Sequence, residues 1–229
     1  HGEAGSDFID GGAASDVITG GVGNDNLIGG TGNDSIDGGD DSDVILADRG
    51  TIVLSGGALA AGAMRSLGRD VLLESEVAGG PQAVADRGYI VVGGSGDDWI
   101  FAQGGDDTVT GGLGADDIVA GLGIDTVDAG DGHDVVLGGD GRLWRTSGVI
   151  RNTDGTVRAP ERALSLIPAS ADLTDRGDVI LGGLGSDILY GQGGNDTIDG
   201  GSGDDDIIGG LGHDLLTGGL GADFILGDE

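Results

Sequence analysis

The sequence contains no cysteine and no lysine, and only 3% of its residues are aromatic. The lack of cysteine excludes disulfide bonds and thiolate metal sites, although it does not fix the cellular compartment. No run of eighteen apolar residues occurs, so no membrane-spanning helix is predicted. With so few aromatic side chains, an ordinary globular core would be thin. The chain is therefore either disordered or ordered by something other than a large apolar core.

Glycine and acidic residues dominate the composition instead. The 229 residues include 54 glycines, and 41 acidic against 10 basic side chains give a formal net charge of −31. A chain this acidic repels nucleic acid and anionic membranes and attracts cations, so we expect no nucleic-acid partner. High glycine content with high net charge indicates disorder by default, unless an internal period organises the chain.

A nine-residue period is present and argues against disorder. Three blocks of five repeats span residues 2–46, 93–137 and 182–226, and they begin 91 and 89 residues apart. The first block reads GEAGSDFID, GGAASDVIT, GGVGNDNLI, GGTGNDSID and GGDDSDVIL. Position six is Asp and position eight is Ile, Leu or Val in all fifteen repeats. A flexible linker would not keep an aliphatic residue in register with an aspartate, so the pattern predicts a repeat architecture.

These repeats resemble the GGxGxDxUx consensus of repeats-in-toxin (RTX) proteins, also called hemolysin-type calcium-binding repeats. The resemblance covers roughly 135 of the 229 residues directly. It implies an all-β fold, a right-handed parallel β-roll or β-solenoid with two inserted loop segments. In this fold GGxGxD forms the turn, xUx forms a short strand, and two repeats complete one turn of the coil. The resemblance also implies that multiple calcium ions (Ca2+) are bound and that the chain needs them to fold.

The residue types at the turns suit calcium. Calcium takes about six to eight oxygen ligands, and glycine-rich turns can aim successive backbone carbonyls at one point because glycine accepts positive φ. The position-six carboxylate adds charge to that carbonyl cage. Asp178 is predicted to act as an extra ligand before the third block, whereas its counterpart before the second block is Tyr89. The predicted metal ligands are Asp7, Asp16, Asp25, Asp34, Asp43, Asp98, Asp107, Asp116, Asp125, Asp134, Asp178, Asp187, Asp196, Asp205, Asp214 and Asp223.

One turn supplies only half of a ligand shell, so each carboxylate is predicted to share a site with the one two repeats away. The predicted pairs are Asp7/Asp25, Asp25/Asp43, Asp16/Asp34, Asp98/Asp116, Asp116/Asp134, Asp107/Asp125, Asp187/Asp205, Asp205/Asp223 and Asp196/Asp214. Ala14 and Asp41 replace glycine at position four, and alanine tolerates the left-handed backbone poorly. The site that uses the Ala14 turn is therefore expected to be the weakest.

Positions seven and nine point outward and change character with a period of eighteen residues. In odd-numbered repeats they are largely apolar, as at Trp99 and Phe101, whereas position nine of even-numbered repeats is Thr or Asp. One outer face is thus predicted to be apolar, and solvent rarely faces an apolar strip of this length. Two alternatives remain for what covers this face: the inserts themselves or a lateral protein partner.

The two inserts, residues 47–92 and 138–181, contain all ten arginines. Residues 51–54 and 142–145 are predicted to be strands that continue the stack, and residues 59–73 form a weak helix pattern opposed by Gly62 and Gly68. The arginines are interpreted as ion-pairing the inserts to the acidic roll. A ligand-binding role, for instance toward an anionic glycan, is the alternative for Arg142, Arg145, Arg151, Arg158 and Arg162.

No catalytic motif such as HExxH or GxSxG occurs, and His133 and His213 occupy the variable position five, so the segment is not predicted to be an enzyme. The chain begins at His1 without an initiator methionine or signal peptide, so we expect a piece of a longer polypeptide. The RTX resemblance implies type I secretion from a Gram-negative bacterium to the exterior or cell surface. Two functions stay open: a calcium-dependent structural segment of an adhesin, biofilm or surface-layer protein, or a folding module attached to a secreted hydrolase or toxin.

Overall fold

The computed structural model describes residues 1–48, 50–54, 64–66, 69–73, 88–139, 141–151, 157–166 and 176–227. Over these residues the chain is all β, with two parallel sheets that form a β-solenoid of about 8 turns. The predicted β-roll fold is thus confirmed. No helix in the described part of the chain is long and apolar enough to cross a membrane.

The odd-numbered repeats of each block form one sheet of nine parallel strands. In spatial order they are β1 (Phe8–Ala13), β3 (Asn26–Thr31), β5 (Val44–Leu46), β10 (Trp99–Gly104), β12 (Asp117–Leu122), β14 (Val135–Leu137), β18 (Ile188–Gly193), β20 (Asp206–Leu211) and β22 (Phe224–Leu226). Strand pairing continues across both inserts, since Val44 pairs with Trp99 and Val135 with Ile188.

The opposite sheet has eight parallel strands. They are β2 (Val17–Val22), β4 (Ser35–Asp40), β9 (Ile90–Ser95), β11 (Thr108–Leu113), β13 (Thr126–Asp131), β17 (Val179–Leu184), β19 (Thr197–Ser202) and β21 (Leu215–Leu220). Each block has five repeats, an odd number, so alternation between the sheets needs one further strand at each join. Strands β9 and β17, at the end of each insert, supply it between β4 and β11 and between β13 and β19.

The core between the sheets is a narrow ladder of position-eight side chains. Leu27, Ile45, Ile100 and Ile118 are fully buried there, and Val91 of β9 extends the same cluster. In a parallel strand pair the inward residues of neighbouring turns stack directly on one another, as Ile100 does on Ile118. The invariant aliphatic residue at position eight therefore has its structural reason in this stacking.

The turns require left-handed backbone at positions two and four of the repeat. Four non-glycine residues have positive φ there: Ala14 at 89°, Asp41 at 74°, Gln103 at 79° and Gln192 at 74°. At these four positions the consensus has glycine. The turn therefore keeps its left-handed backbone even where another residue replaces the glycine. Of these four residues, Ala14 is expected to be the most strained, because alanine has no polar side chain to stabilise the left-handed conformation.

The inserts form strands that lie outside the parallel stack. The first insert contains an antiparallel sheet of β6 (Gly50–Leu54), β8 (Arg69–Leu73) and β7 (Met64–Ser66), and the second contains a hairpin of β15 (Gly141–Arg151) and β16 (Val157–Leu166).

Two expectations for the inserts are corrected by these strands. Residues 51–54 and 142–145 are strands, but they pair antiparallel within their own inserts and do not continue the roll, because β9 and β17 already occupy the next places in the stack. The weak helix pattern over 59–73, which Gly62 and Gly68 opposed, does not form a helix in its described part, where Met64–Ser66 and Arg69–Leu73 are strands. Residues 59–63 and 67–68 lie outside the described residues.

Insert strands cover the central part of the apolar outer face. The backbone of β6 lies against β3, and that of β15 lies against β12. Ile52 of β6 belongs to a second buried cluster that includes Trp99 and Phe101, whose rings meet edge to face with centroids 5.1 Å apart. The covering of this face by the inserts is thus observed, whereas no lateral protein partner is shown.

Candidate metal centres

The position-six aspartates line up along two edges of the roll. On the edge that leads into the nine-stranded sheet, the backbone N–H of each aspartate donates to Oδ1 of the next, over 2.7–3.2 Å. We call this the long ladder, and it consists of Asp7, Asp25, Asp43, Asp98, Asp116, Asp134, Asp187, Asp205 and Asp223. It runs without interruption through all three blocks.

The opposite edge carries a second ladder with one replacement. Its seven aspartates are Asp16, Asp34, Asp107, Asp125, Asp178, Asp196 and Asp214. Between Asp34 and Asp107 stands Tyr89, whose N–H donates to Oδ1 of Asp107 at 2.7 Å but which offers no carboxylate to the preceding turn. We call this the interrupted ladder.

The two ladders place every residue of the predicted ligand set, and all nine predicted pairs are neighbours. The structure adds pairs that cross the inserts: Asp43 with Asp98, Asp134 with Asp187, and Asp125 with Asp178. Sequence reasoning missed these pairs because the inserts change the separation from 18 residues to 55 or 53. Their role as calcium ligands remains a prediction.

Burial and mutual proximity make Asp178 and Asp196, two carboxylates of the interrupted ladder, costly to ionise in the absence of a cation. Desolvation, with further contributions from the charges of Asp125, Asp196 and Asp107, raises the pKa of Asp178 to about 8, although the backbone hydrogen bond from Asp125 opposes the shift. Desolvation likewise raises the pKa of Asp196 to about 6, with Asp214 adding to the effect. A stack of like charges out of water is unfavourable unless a counter-charge enters it.

The second carboxylate oxygens fit a cation. Oδ2 is buried without a hydrogen-bond partner in Asp16, Asp178, Asp196, Asp205 and Asp214. Backbone lies close to such an oxygen: a Cβ added to Gly138 would lie 2.5 Å from Oδ2 of Asp178 and 2.9 Å from the carbonyl oxygen of Gly191. Carboxylate and backbone carbonyl oxygens are the hard donors that calcium prefers.

No group of three or more His, Cys, Asp or Glu side chains converges on one point among the described residues. A carboxylate from each of two stacked turns is therefore not enough to complete a calcium shell of about six to eight oxygens. The backbone carbonyls of the glycine turns are the further oxygens close to the ladders. A need for both carboxylate and backbone oxygens explains why the residue at position one of the repeat is small. A larger side chain there would fill the space beside the carboxylate.

Position five forms another set of hydrogen bonds, which the sequence analysis treated as variable. The N–H of Ser186 donates to Nδ1 of His133 at 2.8 Å, and the N–H of His213 donates to Oδ1 of Asn195 at 2.8 Å. Similar bonds join Asp97 to Ala115 and Asp106 to Ile124. Twelve of the fifteen position-five residues are Ser, Asn, Asp or His, and that preference for an acceptor was the available signal. The two histidines thus belong to the turn framework.

Arg142, Arg145, Arg151, Arg158 and Arg162 lie on β15 and β16 by their backbone. Their side chains are outside the described part of the structure, so a ligand role for them is untested.

Comparisons with known proteins agree with this geometry. A search of curated proteins found no match. A family model of the RTX calcium-binding nonapeptide repeat, which represents 4 copies, matches residues 1–27, 19–51, 90–118, 110–142, 173–207 and 199–229. These matches cover more than half of the chain and include all three repeat blocks. The chain belongs to the RTX calcium-binding nonapeptide repeat family.

Proposed function

We propose that this chain is a calcium-rigidified structural segment of a large secreted or cell-surface bacterial protein, of the adhesin, biofilm or surface-layer kind. In this proposal the chain stays unfolded during type I secretion and folds when it meets calcium outside the cell. RTX repeats are typical of secreted extracellular bacterial proteins, which supports the location. The observation that best supports the proposal is the long ladder. It continues unbroken from block to block, because hydrogen bonds join the aspartates on either side of each insert.

Coupling of calcium binding to folding follows from the ladders. Each carboxylate is held by the N–H of the preceding turn, so the stack can exist only when the turns are already in register. Without a counter-charge the stacked carboxylates repel one another, and the narrow core, with one large inward aliphatic residue per repeat, has little apolar area to oppose that repulsion. Bound calcium would neutralise the stack and take oxygens from two successive turns, so that binding and folding become one event.

An extended shape supports a stalk or spacer role. Nine strands spaced by about 4.8 Å give the sheet a length of roughly 40 Å along the stacking direction. Each unit of roughly ninety residues adds its strands to the same two sheets, so further units would lengthen the roll without changing its cross-section. A folding cap for an attached domain would not need this long-range periodicity.

The alternative function is a calcium-dependent folding module attached to a secreted hydrolase or toxin. The RTX fold and the absence of catalytic motifs in the sequence are compatible with it, because the activity would lie in another domain. The full-length gene separates the two functions. Many copies of the ninety-residue unit support the stalk, and a single copy beside a catalytic domain supports the module.

Small-angle X-ray scattering of the chain with calcium and with a chelator tests the proposed folding step. An unfolded chain of this length has a radius of gyration of about 50 Å, and a compact one has about 20 Å. We expect a change from the larger toward the smaller value when calcium is added, with an elongated particle shape. Equal radii in both conditions contradict the proposal, and magnesium at the same concentration is the control.

A further inference from the structure

Each insert interrupts a single turn of the roll. On the edge of the interrupted ladder, a turn begins at position one, directly after a strand of the nine-stranded sheet, and ends at position six, directly before a strand of the opposite sheet. Gly138 follows β14 and Asp178 precedes β17, so these two residues are positions one and six of one turn. We call it the second split turn, because the second insert lies between its halves.

The two halves of the second split turn meet as closely as those of an unbroken turn. Gly138 and Asp178 are far apart in sequence, yet a Cβ added to Gly138 would lie 2.5 Å from Oδ2 of Asp178. In the unbroken turn of residues 29–34, a Cβ added to Gly29 would lie 2.6 Å from Oδ2 of Asp34. The insertion therefore leaves this part of the turn geometry intact.

Hydrogen bonds hold both halves in the stack. The N–H of Gly138 donates to the carbonyl oxygen of Tyr190 at 2.8 Å, and the carbonyl oxygen of Gly138 accepts from the N–H of Gly121 at 2.8 Å. Oδ1 of Asp178 accepts from the N–H of Asp125 at 2.8 Å. Neighbouring turns thus position the two halves of the split turn against each other.

The second split turn offers buried oxygens to a cation. Oδ2 of Asp178 has no hydrogen-bond partner, and the side chain is only 1% exposed. The carbonyl oxygen of Gly191 lies beside the same space, 2.9 Å from where a Cβ of Gly138 would stand. Two acceptor oxygens beside one buried space are unfavourable unless a cation lies between them, and both are of the hard type that calcium prefers.

The first insert splits a turn in the same way but closes it with apolar side chains. Ala47 follows β5 at position one, and Tyr89 precedes β9 at position six. Both are buried members of the main core cluster, and Tyr89 is 1% exposed. No carboxylate stands at position six of this turn. Burial of apolar side chains therefore takes the place that Asp178 has in the second split turn.

The second split turn is also the base of the hairpin that lies on the roll. Strand β15 begins at Gly141, shortly after Gly138, and lies against β12. The returning chain rejoins the roll at Arg176, whose N–H donates to the carbonyl oxygen of Gly123 at 3.3 Å. An ion held at the split turn would therefore act on both ends of the insert.

We propose that calcium binds at the second split turn, with Oδ2 of Asp178 and the carbonyl oxygen of Gly191 among its ligands, and that this ion fastens the base of the second insert to the roll. The first insert is fastened at its base by Tyr89 and needs no ion there. Loss of this one ion therefore releases the second insert and leaves the first in place. The proposal rests on the calcium binding of the proposed function and adds a local role for one ion.

Trypsin can probe the two inserts separately, because the chain has no lysine and all ten arginines lie in the inserts. The full chain is digested in calcium that saturates the wild type, and fragment masses identify the arginine that is cut. Arg142 and Arg162 report on the second insert, and Arg49 and Arg69 on the first.

The Asp178→Asn chain is expected to be cut at least about tenfold faster at the second-insert arginines, with an unchanged rate at those of the first. The physical reason is that asparagine can keep its Oδ1 for the N–H of Asp125 only by presenting its NH2 group, a hydrogen-bond donor, to the ion.

Two further variants make the result specific. Gly138→Ala places a Cβ in the space beside Oδ2 of Asp178 and is expected to match Asp178→Asn. Asp214→Asn is the matched control, because it removes a carboxylate of the same ladder from an unbroken turn, and both inserts should keep the wild-type rate. Circular dichroism in calcium checks that each variant has formed the roll.

The outcomes distinguish this inference from the proposed function. Wild-type rates in both Asp178→Asn and Gly138→Ala, or equal acceleration at the two inserts, would overturn the inference and leave calcium-dependent folding in place. A wild-type chain with the same strand spectrum and the same tryptic pattern in calcium and in chelator would overturn the proposed function itself.

Discussion

The backbone N–H of Asp125 donates to Oδ1 of Asp178 at 2.8 Å, although 53 residues separate them in sequence. The N–H of Asp178 donates in turn to Oδ1 of Asp196 at 2.7 Å. Asp178 precedes the third block, yet it occupies a place in the interrupted ladder, between Asp125 and Asp196, as a repeat aspartate would. The ladder is therefore a property of the whole roll and extends beyond the individual five-repeat blocks.

The Asp178→Asn variant separates the charge of this residue from its hydrogen bond. Asparagine keeps an oxygen for the N–H of Asp125 but removes a carboxylate whose pKa burial raises to about 8. We expect the variant to weaken calcium binding and to lower the stability of the calcium-loaded roll by roughly 1–3 kcal/mol. In chelator above about pH 8, where the Asp178 carboxylate is ionised, the same variant is expected to reduce repulsion and to favour residual strand structure.

The matched control for this variant is Asp204→Asn, at exposed position five. Its carboxylate lies outside both ladders, and asparagine retains the acceptor for the N–H of Ala222. Urea unfolding at fixed calcium measures both variants. Equal losses of stability for the two variants would contradict a special role of position six.

Tyr89→Asp is expected to close the gap in the interrupted ladder. Tyr89 takes the ladder place between Asp34 and Asp107 and is 1% exposed. A carboxylate there adds a ligand to the two neighbouring turns, so calcium stoichiometry measured by equilibrium dialysis is expected to rise. Tyr89→Phe is the control, since it preserves the ring and adds no ligand. An unchanged ion count in the folded Tyr89→Asp chain would show that this place does not bind calcium.

Without calcium, the stability of the roll is expected to fall as pH rises. Burial raises the pKa of Asp178 to about 8 and of Asp196 to about 6, while an unfolded aspartate titrates near 4. The folded chain therefore holds more protons between these values, and the stabilisation present below about pH 4 is lost as pH passes through 6 to 8. Circular dichroism in chelator at graded pH measures this, and strand content that increases from pH 5 to 8 contradicts it. With calcium, protons compete for the ligands, so the required calcium concentration is expected to increase at lower pH.

Ala14→Gly is expected to stabilise the first turns of the roll. Ala14 has φ of 89°, a left-handed conformation that costs a residue with a Cβ about 1 kcal/mol. Its place in the first turn of its edge resembles that of Gly5, where an added Cβ would meet nothing within 4 Å, so strain is the main penalty. Gly23→Ala is the opposite test, because its Cβ would also collide with the backbone of Gly5. Thermal unfolding in calcium should place Ala14→Gly above the wild type and Gly23→Ala below it.

The sequence predicted the repeating part of the molecule well because one residue type at one position has one physical role. Asp at position six enters a ladder, and the aliphatic residue at position eight, such as Ile100, stacks in the core. These roles are local to the turn and its neighbour, so a nine-residue period carries them. The ligand function of the aspartates is not tested by the fold and remains a prediction.

The inserts were harder to predict because they have no period. Residues Arg69–Leu73 form a strand where a weak helix pattern was expected, since pairing with Gly50–Leu54 determines their conformation. Likewise, no local signal indicates that Ile52 joins the buried cluster that contains Trp99, a residue far from it in sequence. Position five was missed for another reason. Its residues vary in type, while twelve of the fifteen have a side chain that can accept a hydrogen bond, as His133 and Asn195 do.

A calcium titration followed by far-ultraviolet circular dichroism addresses the dependence of the fold on the metal. The chain in chelator is predicted to give the spectrum of an unfolded polypeptide. It should convert to a strand spectrum in one cooperative transition as calcium is added, and chelator should reverse the change. A strand spectrum that is already complete in chelator and does not change with calcium would contradict calcium-dependent folding of this roll.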